Sequence, residues 1–88
     1  DCTAGVGPFS VPLARTGRAT CRANDLNPAA VAALRANALR NRCANLEVAE
    51  PGCARAFLKD LVSKDFRFTH ALFNLPAWVW RRLICVFA

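Results

Sequence analysis

The sequence contains no methionine among its 88 residues, and it begins with Asp1 and Cys2. A chain without an initiator methionine is expected where an upstream segment has been removed, and a cleaved secretory signal accounts for both features. We therefore expect a processed, secreted, extracellular protein that folds as one small domain over residues 1–88. At this length a hydrophobic core alone contributes little stability, so covalent staples are expected to supplement it.

Metal-binding and catalytic signatures are also missing. No two cysteines are separated by two residues, and the single histidine, His70, cannot complete a Cys/His zinc site. The same absence argues against a thiol oxidoreductase. The acidic residues are scattered, which excludes a glycosidase-type carboxylate pair and a calcium loop. We expect no catalytic residue, no metal and no cofactor, and hence no enzyme.

Long apolar runs are absent, because Asn74, Pro76 and two arginines interrupt the most apolar stretch, residues 72–88. No segment therefore reaches the roughly 20 apolar residues of a membrane span. Tryptophan beside arginine is nevertheless typical of membrane–water interfaces, where indole lies at head-group depth and arginine pairs with phosphate. The alternative places the tryptophans in the core and the arginines in solvent. The predicted surface or membrane contacts are Trp78, Trp80, Arg81, Arg82 and Phe87.

Negative charge is scarce, since six acidic residues stand against twelve basic ones and the net charge is +6. Such a field attracts anionic lipids, anionic glycans or acidic proteins. The alternative is a GC-rich genome, which enriches alanine and arginine without any ligand. The arginine-rich stretch 15–42 has no aromatic residue for base stacking, so nucleic acid is not an expected partner. The predicted basic patch is Arg15, Arg18, Arg22, Arg35, Arg40 and Arg42.

Cysteine is abundant for so short a chain, and disulfides are its usual use in small secreted domains. The number is odd, so one thiol is free or joined to another chain. Five choices of the unpaired cysteine and three pairings for each give fifteen possible frameworks, among which the sequence does not choose. The disulfide candidates are Cys2, Cys21, Cys43, Cys53 and Cys85.

Helical periodicity is clearest in two segments. Asn27 and Pro28 open the first as an N-cap residue and a first-turn proline, and this helix is expected to span about residues 28–43. Its apolar residues form two arcs, which indicates two neighbours, or one neighbour and an external partner. The favoured alternative lays the aliphatic stems of its arginines along the core rim. The second helix, over residues 51–64, has one four-residue apolar repeat and therefore one buried face.

Three extended segments complete the predicted fold. Residues 9–13 form a short alternating strand candidate, which Pro8 and Pro12 confine to a sheet edge. Residues 66–73 also alternate, and residues 79–87 are rich in β-branched and aromatic side chains. The predicted class is α+β, with two disulfide-stapled helices packed on a small antiparallel sheet. The alternative is an all-α, disulfide-stabilised bundle with a third helix that begins at Asn74.

These features predict a secreted cationic toxin or antimicrobial-type protein that acts on target-cell surfaces or membranes. The alternative is a non-lytic secreted effector, ligand or heteromer subunit that binds a specific protein receptor or second subunit. Oligomerisation through the odd cysteine or the two-sided first helix would fit that alternative. Salt separates the two hypotheses, because membrane attraction between exposed charges is screened at high ionic strength and specific protein binding is less so.

Overall fold

A computed structural model of the chain describes residues 1–75. These residues contain three helices and two strands in the order α-β-α-β-α. The elements are α1 (Ser10–Arg15), β1 (Cys21–Ala23), α2 (Pro28–Arg40), β2 (Leu46–Val48) and α3 (Ala54–Ser63). Within this part of the chain, no helix is long and apolar enough to cross a lipid bilayer.

The two strands pair in parallel, with Cys21 opposite Leu46 and Ala23 opposite Val48. Parallel neighbours need a crossover connection, and α2 supplies it between β1 and β2. The ladder continues beyond the strands, since Cys21 N donates to Asn45 O and Ala49 N donates to Ala23 O. The carboxyl ends of β1 and β2 therefore lie at the same edge of the sheet.

The first residues of the chain run along the other side of β1. Asp1 N donates to Arg22 O at 2.7 Å, and Asn24 N donates to Asp1 O at 2.9 Å, which is the hydrogen-bond pattern of a parallel pair. Cys2 N in turn donates to Leu72 O at 3.0 Å. Residues 1–4 thus lie between β1 and the segment around Leu72, at the centre of the described chain.

Local chemistry explains where α2 and α3 begin. The Asn27 side chain accepts a hydrogen bond from Ala29 N at 3.0 Å, and Pro28 occupies the first helical position. In α3 the sulfur of Cys53 accepts from Ala56 N at 3.4 Å in the same capping role. Arg42 and Asp65 adopt φ values of 55° just past the two helices, a left-handed turn that ends each of them.

Two hydrophobic clusters hold these elements together. The first joins residues of α1, β1, α2 and β2 around Leu34 and Ala23, both fully buried. The second packs the apolar face of α3 against Cys2, and its α3 members are Phe57, Leu58 and Leu61. Cys2 lies on the central segment, so residues 1–4 are covered from the α3 side as well.

The predicted antiparallel sheet is wrong, and so is the all-helical alternative. Residues 9–13 fall largely within α1, because Pro12 stands in its first turn, where the missing N–H has no helical partner in any case. Residues 66–73 contain no strand, and the observed strands come instead from residues 21–23 and 46–48. The predicted strand at 79–87 lies wholly outside the described residues. Both predicted helices are present, over shorter spans than 28–43 and 51–64.

The prediction of disulfide staples is also wrong for the described part of the chain, where all four cysteines are free thiols. Cys2, Cys21 and Cys43 are buried and act as small apolar side chains, whereas Cys53 is exposed at the start of α3. Burial raises the pKa of the Cys2 and Cys21 thiols, which keeps both protonated and unreactive. Cys85 lies outside the described residues.

Of the two apolar arcs predicted for the first helix, the structure buries one and leaves the other exposed. Val31, Leu34 and Ala38 are buried against the sheet, whereas Ala32 and Leu39 on the second arc are exposed. Leu39 leaves 82% of its surface open. An oligomer through this helix or through a cysteine stays a prediction.

We expect Gly7→Ala to lower the free energy of unfolding by about 3 kcal/mol, because Gly7 has a left-handed backbone and no room for a side chain. Its φ is +100°, and an added Cβ would lie 2.6 Å from Val11 Cγ2 and 2.7 Å from Leu34 Cδ1. Gly17→Ala is the matched control, since φ is +71° but nothing lies within 4 Å. It should cost only about 1 kcal/mol. Urea unfolding measures both, and equal losses would refute the packing argument.

Thiol labelling of the native chain should separate the cysteines by burial. Cys53 is expected to react with a thiol reagent at once, whereas Cys2, Cys21 and Cys43 should react only as the chain opens. Peptide mapping by mass spectrometry after short labelling assigns each site. Rapid labelling of the buried three, or their recovery as disulfides from a non-reduced sample, would contradict the structure.

Candidate functional site

The carboxyl ends of the parallel segments meet along one edge of the sheet, which we call the carboxyl edge. It comprises the loop after residues 1–4, the residues after β1, the loop after β2 and the segment after Leu72. In open parallel sheets, ligands bind outside this end of the strands. The residues of the carboxyl edge are therefore the first candidates for function: Gly5, Gly7, Asp25, Leu26, Gly52 and Asn74.

Two glycines shape the loop between the central segment and α1. Gly5 has φ +59°, and a Cβ placed on it would meet nothing within 4 Å, so its backbone is open to approach. Gly7 is instead packed against Val11 and Leu34 and brings α1 close to α2. Ser10, the first residue of α1, is 1% exposed, so a small residue is required there too.

Asp25 ties the glycine loop to the end of β1. Its Oδ2 accepts from Gly5 N at 2.8 Å and its Oδ1 accepts from Asn27 N at 2.9 Å. Each carboxylate oxygen has a second lone pair, so Asp25 can accept further hydrogen bonds from a ligand. A half-buried carboxylate thus stands directly beside the open backbone of Gly5.

Asn24 fixes the strand ends relative to one another. Its side chain is 1% exposed, and Nδ2 donates to Cys2 O at 3.3 Å and to Gly52 O at 2.8 Å. Its backbone N donates to Asp1 O, and its backbone O accepts from Ala4 N at 2.8 Å. One residue therefore connects the central segment, β1 and the loop that follows β2.

The remaining surface of the carboxyl edge combines an apolar side chain with polar backbone. Leu26 follows Asp25 and leaves 71% of its surface exposed, although it is large and aliphatic. On the other side, Asn74 N donates to Thr3 Oγ1 at 2.8 Å, which places the segment after Leu72 beside the central one. A ligand here would meet an accessible backbone, a carboxylate and an apolar contact within a few residues.

This arrangement matches the nucleotide-binding βαβ unit. In that unit the pattern G-x-G-x-x-G or A follows an extended segment and opens a helix, and an acid about 20 residues further on binds ribose hydroxyls. Here Gly5, Gly7 and Ser10 keep the spacing, with serine as the third small residue, and Asp25 comes twenty residues after Gly5. The glycine loop and Asp25 together are suited to binding a nucleoside.

Sequence reasoning missed this site. Asp25 counted there only among the scattered acidic residues, and no role was assigned to Gly5 or Gly7. The spacing of Gly5, Gly7 and Ser10, followed by Asp25, was the available signal. It lacked weight because residues 1–4 give no strand pattern of their own, and the motif is meaningful only after a strand.

The predicted basic patch is only partly free in the structure. Arg22 pairs with Glu47 at 3.3 Å and lies 4.8 Å from the Phe66 ring centroid, and Arg35 pairs with Glu50 at 2.8 Å. The other four members are exposed: Arg15, Arg18, Arg40 and Arg42. The predicted contacts Trp78, Trp80, Arg81, Arg82 and Phe87 lie outside the described residues.

Comparison with known proteins shows similarity to curated enzymes. The chain is 44% identical over 79 residues to a tRNA (guanine(37)-N(1))-methyltransferase of Heterostelium pallidum and 43% identical over 77 residues to one of Dictyostelium discoideum. Each match covers 88% of this chain but only 18% and 17% of the relative. A protein of the same name from Entamoeba histolytica is 40% identical over 98% of this chain and 22% of its own length. The chain thus spans about a fifth of these relatives. No family model and no solved structure matches.

These relatives overturn the functional predictions made from composition. A secreted toxin or antimicrobial protein, the alternative effector or receptor ligand, an extracellular location and the absence of nucleic acid among partners are all wrong. The prediction that the chain has no part in an enzyme is wrong as well, because the proteins it resembles over most of its length are named as tRNA-modifying enzymes. Composition misled because cysteine serves here as a small apolar residue.

Asp25→Asn should lower the free energy of unfolding by about 1–3 kcal/mol, because an amide NH₂ in place of Oδ2 cannot accept from Gly5 N–H and leaves that donor unpaired. Asp60→Asn is the control, since exposed Asp60 pairs only with Lys64 in an i,i+4 ion pair. Its loss should stay within about 0.5 kcal/mol. Urea unfolding compares the two, and equal effects would show that Asp25 does not hold the loop.

Proposed function

We propose that this chain forms the methyl-donor-binding part of a tRNA guanine-N1 methyltransferase, and that the donor binds at the carboxyl edge. The observation that carries the proposal is the tether between Asp25 and the open backbone of Gly5, at 2.8 Å. The similarity to enzymes named for methylation of guanine 37 in tRNA supports the choice of reaction. A methyl donor that contains a nucleoside would find its recognition groups there.

S-adenosylmethionine fits the binding groups that the carboxyl edge presents. Asp25 would accept from the ribose hydroxyls, as the acid at this position does in the βαβ unit. Gly5 allows close approach of the ligand to the backbone, because no side chain occupies the space above it. Leu26 would pack against the purine face, which explains a large aliphatic side chain left 71% exposed.

A phosphate-free nucleoside fits better than a dinucleotide. Dinucleotide sites place the pyrophosphate at the N-terminus of the helix after the glycine loop, where aligned peptide dipoles favour negative charge. Here that helix is α1, which has only six residues and no side-chain cap. Asp25 beside Gly5 also places a negative charge against the loop. Both features disfavour a phosphate and leave the ribose contact intact.

When bound, S-adenosylmethionine supplies an electrophilic methyl group on a sulfonium sulfur, which is the chemistry that methylation of guanine N1 needs. The residues of this chain hold and orient that group. Asp25 and the Gly5 backbone fix the ribose, and Asn24 fixes Asp25 through the backbone of Gly52, whose N donates to Asp25 O at 3.1 Å. The exposed arginines and the net charge of +6 favour tRNA through its phosphates.

Binding of S-adenosylhomocysteine to the 88-residue chain tests the proposal by calorimetry. Leu26→Ser should weaken binding about tenfold, since it removes an apolar contact worth roughly 1–2 kcal/mol. The control is Leu39→Ser, which changes another largely exposed leucine, on α2, and should leave the affinity unchanged. Both variants should unfold as the parent does, within about 0.5 kcal/mol.

Two results would refute the proposal. The first is no binding by a folded chain at millimolar ligand. The second is equal weakening by Leu26→Ser and Leu39→Ser, which would show that Leu26 is not at the ligand. A dinucleotide that binds more tightly than S-adenosylhomocysteine would favour a redox cofactor instead.

A further inference from the structure

Residues 4–7 form a tight turn at the start of the glycine loop. Gly7 N donates to Ala4 O at 3.0 Å, and this hydrogen bond closes a β-turn with Gly5 and Val6 at its centre. Gly5 has φ +59°, whereas φ at Val6 is negative. A positive φ at the first central residue alone is the pattern of a type II′ turn. The peptide unit that joins Gly5 to Val6 therefore stands at the tip of the turn.

This Gly5–Val6 peptide is the part of the turn that a ligand can bind. Within residues 1–75, neither Gly5 O nor Val6 N has a hydrogen-bond partner. The space beside Gly5 is open, and Val6 leaves 51% of its surface exposed. One peptide unit thus presents both an acceptor and a donor, next to the carboxylate of Asp25. Turn types differ chiefly in the orientation of this central peptide, so its use in binding depends on what holds the turn.

Asn37, in the third turn of α2, holds the turn from a helix. Its Nδ2 donates to Val6 O at 2.9 Å, although the two residues are 31 positions apart in the chain. The backbone of Asn37 is itself well held, because Asn41 N and Asn41 Nδ2 donate to Asn37 O at 3.0 Å and 2.8 Å. A half-buried side chain on a regular helix is a donor in a fixed place. Asn37 therefore ties the glycine loop to α2.

The peptide units on both sides of the open one are consequently clamped. On one side Asp25 Oδ2 accepts from Gly5 N at 2.8 Å, and on the other Asn37 Nδ2 donates to Val6 O at 2.9 Å. Reorientation of the peptide between them would strain or break one of these two hydrogen bonds. The open peptide is therefore held in one orientation before any ligand arrives.

We propose that Asn37 is a positioning residue for the ligand at the carboxyl edge, and that it acts by fixing the Gly5–Val6 peptide, which binds that ligand directly. The inference rests on the proposed function, because the ligand is the methyl donor proposed there. A turn without this anchor would sample several orientations, and the ligand would have to order it on binding. Loss of the Asn37 hydrogen bond thus weakens binding although Asn37 itself is not assigned a ligand contact.

The test measures binding of S-adenosylhomocysteine to the full chain by calorimetry. Asn37→Asp should weaken binding about tenfold, because a carboxylate has the shape of the amide but no N–H to donate to Val6 O. Asn41→Asp is the matched control, since it makes the same exchange one helical turn away and loses the hydrogen bond to Asn37 O instead. It should change the affinity by less than about twofold. The ligand has no net charge at neutral pH, so the added negative charge alone does not separate the two variants.

Asn37→Gln tests whether the donor or the shape of the residue matters. Glutamine keeps the NH₂ donor on a longer side chain, so its affinity should stay within about threefold of that of the parent. Equal weakening by Asn37→Gln and Asn37→Asp would overturn the proposal. So would equal affinities of Asn37→Asp and Asn41→Asp, since the hydrogen bond to the turn would then have no effect on binding.

Hydrogen exchange of the ligand-free chain measures the turn itself. The Gly7 amide, which closes the turn, should exchange at least about fivefold faster in Asn37→Asp than in the parent. The Cys21 amide, paired with Asn45 O in the sheet, reports global opening and is the internal reference. Unchanged exchange at Gly7 relative to Cys21, or the same increase in Asn41→Asp, would show that Asn37 does not hold the turn. A folded parent chain that binds no S-adenosylhomocysteine would refute the proposed function, and exchange at Gly7 would still decide the role of Asn37 in the turn.

Discussion

The described structure depends on the hydrogen bonds of one buried side chain, that of Asn24. An amide at 1% exposure is stable only if its donors are satisfied, and Nδ2 finds carbonyls on two different segments, Cys2 and Gly52. Those carbonyls are close enough only when residues 1–4, β1 and β2 hold their present register. The polar requirement of one residue thus fixes the alignment that hydrophobic packing alone would leave free to slip.

The same alignment creates the carboxyl edge. Asp25 follows Asn24 directly, so the register that satisfies Asn24 also places the carboxylate beside Gly5 N. Glycine is needed at Gly5 for access and at Gly7 for packing, two different reasons within one loop. Residues with a structural role, such as Asn24 and Gly7, therefore alternate along the chain with residues available to a ligand, such as Asp25 and Gly5. For this reason no one of them could be recognised as functional from the sequence alone.

Local signals predicted the helices and failed for the sheet. Asn27 and Pro28 mark the start of α2 from sequence alone, and the four-residue repeat of α3 is strong enough to identify its buried face. The second helix was predicted from residue 51, yet it begins at Ala54 because Cys53 caps it. The strands are three residues each, and their pairing joins Cys21 to Leu46 across α2, a contact with no local signature. Cysteine abundance indicated disulfides, since composition does not distinguish a covalent staple from a small buried side chain.

The two hydrophobic clusters differ in how far apart their members lie along the chain. The first is built from members within residues 4–48, whereas the second joins Cys2 to members within residues 49–73. During synthesis the first cluster has all of its side chains available before α3 leaves the ribosome. The nascent chain can therefore pair β1 with β2 early. Helix α3 then packs against a sheet that has already formed. Vectorial translation and the topology of this sheet thus favour the same order of assembly.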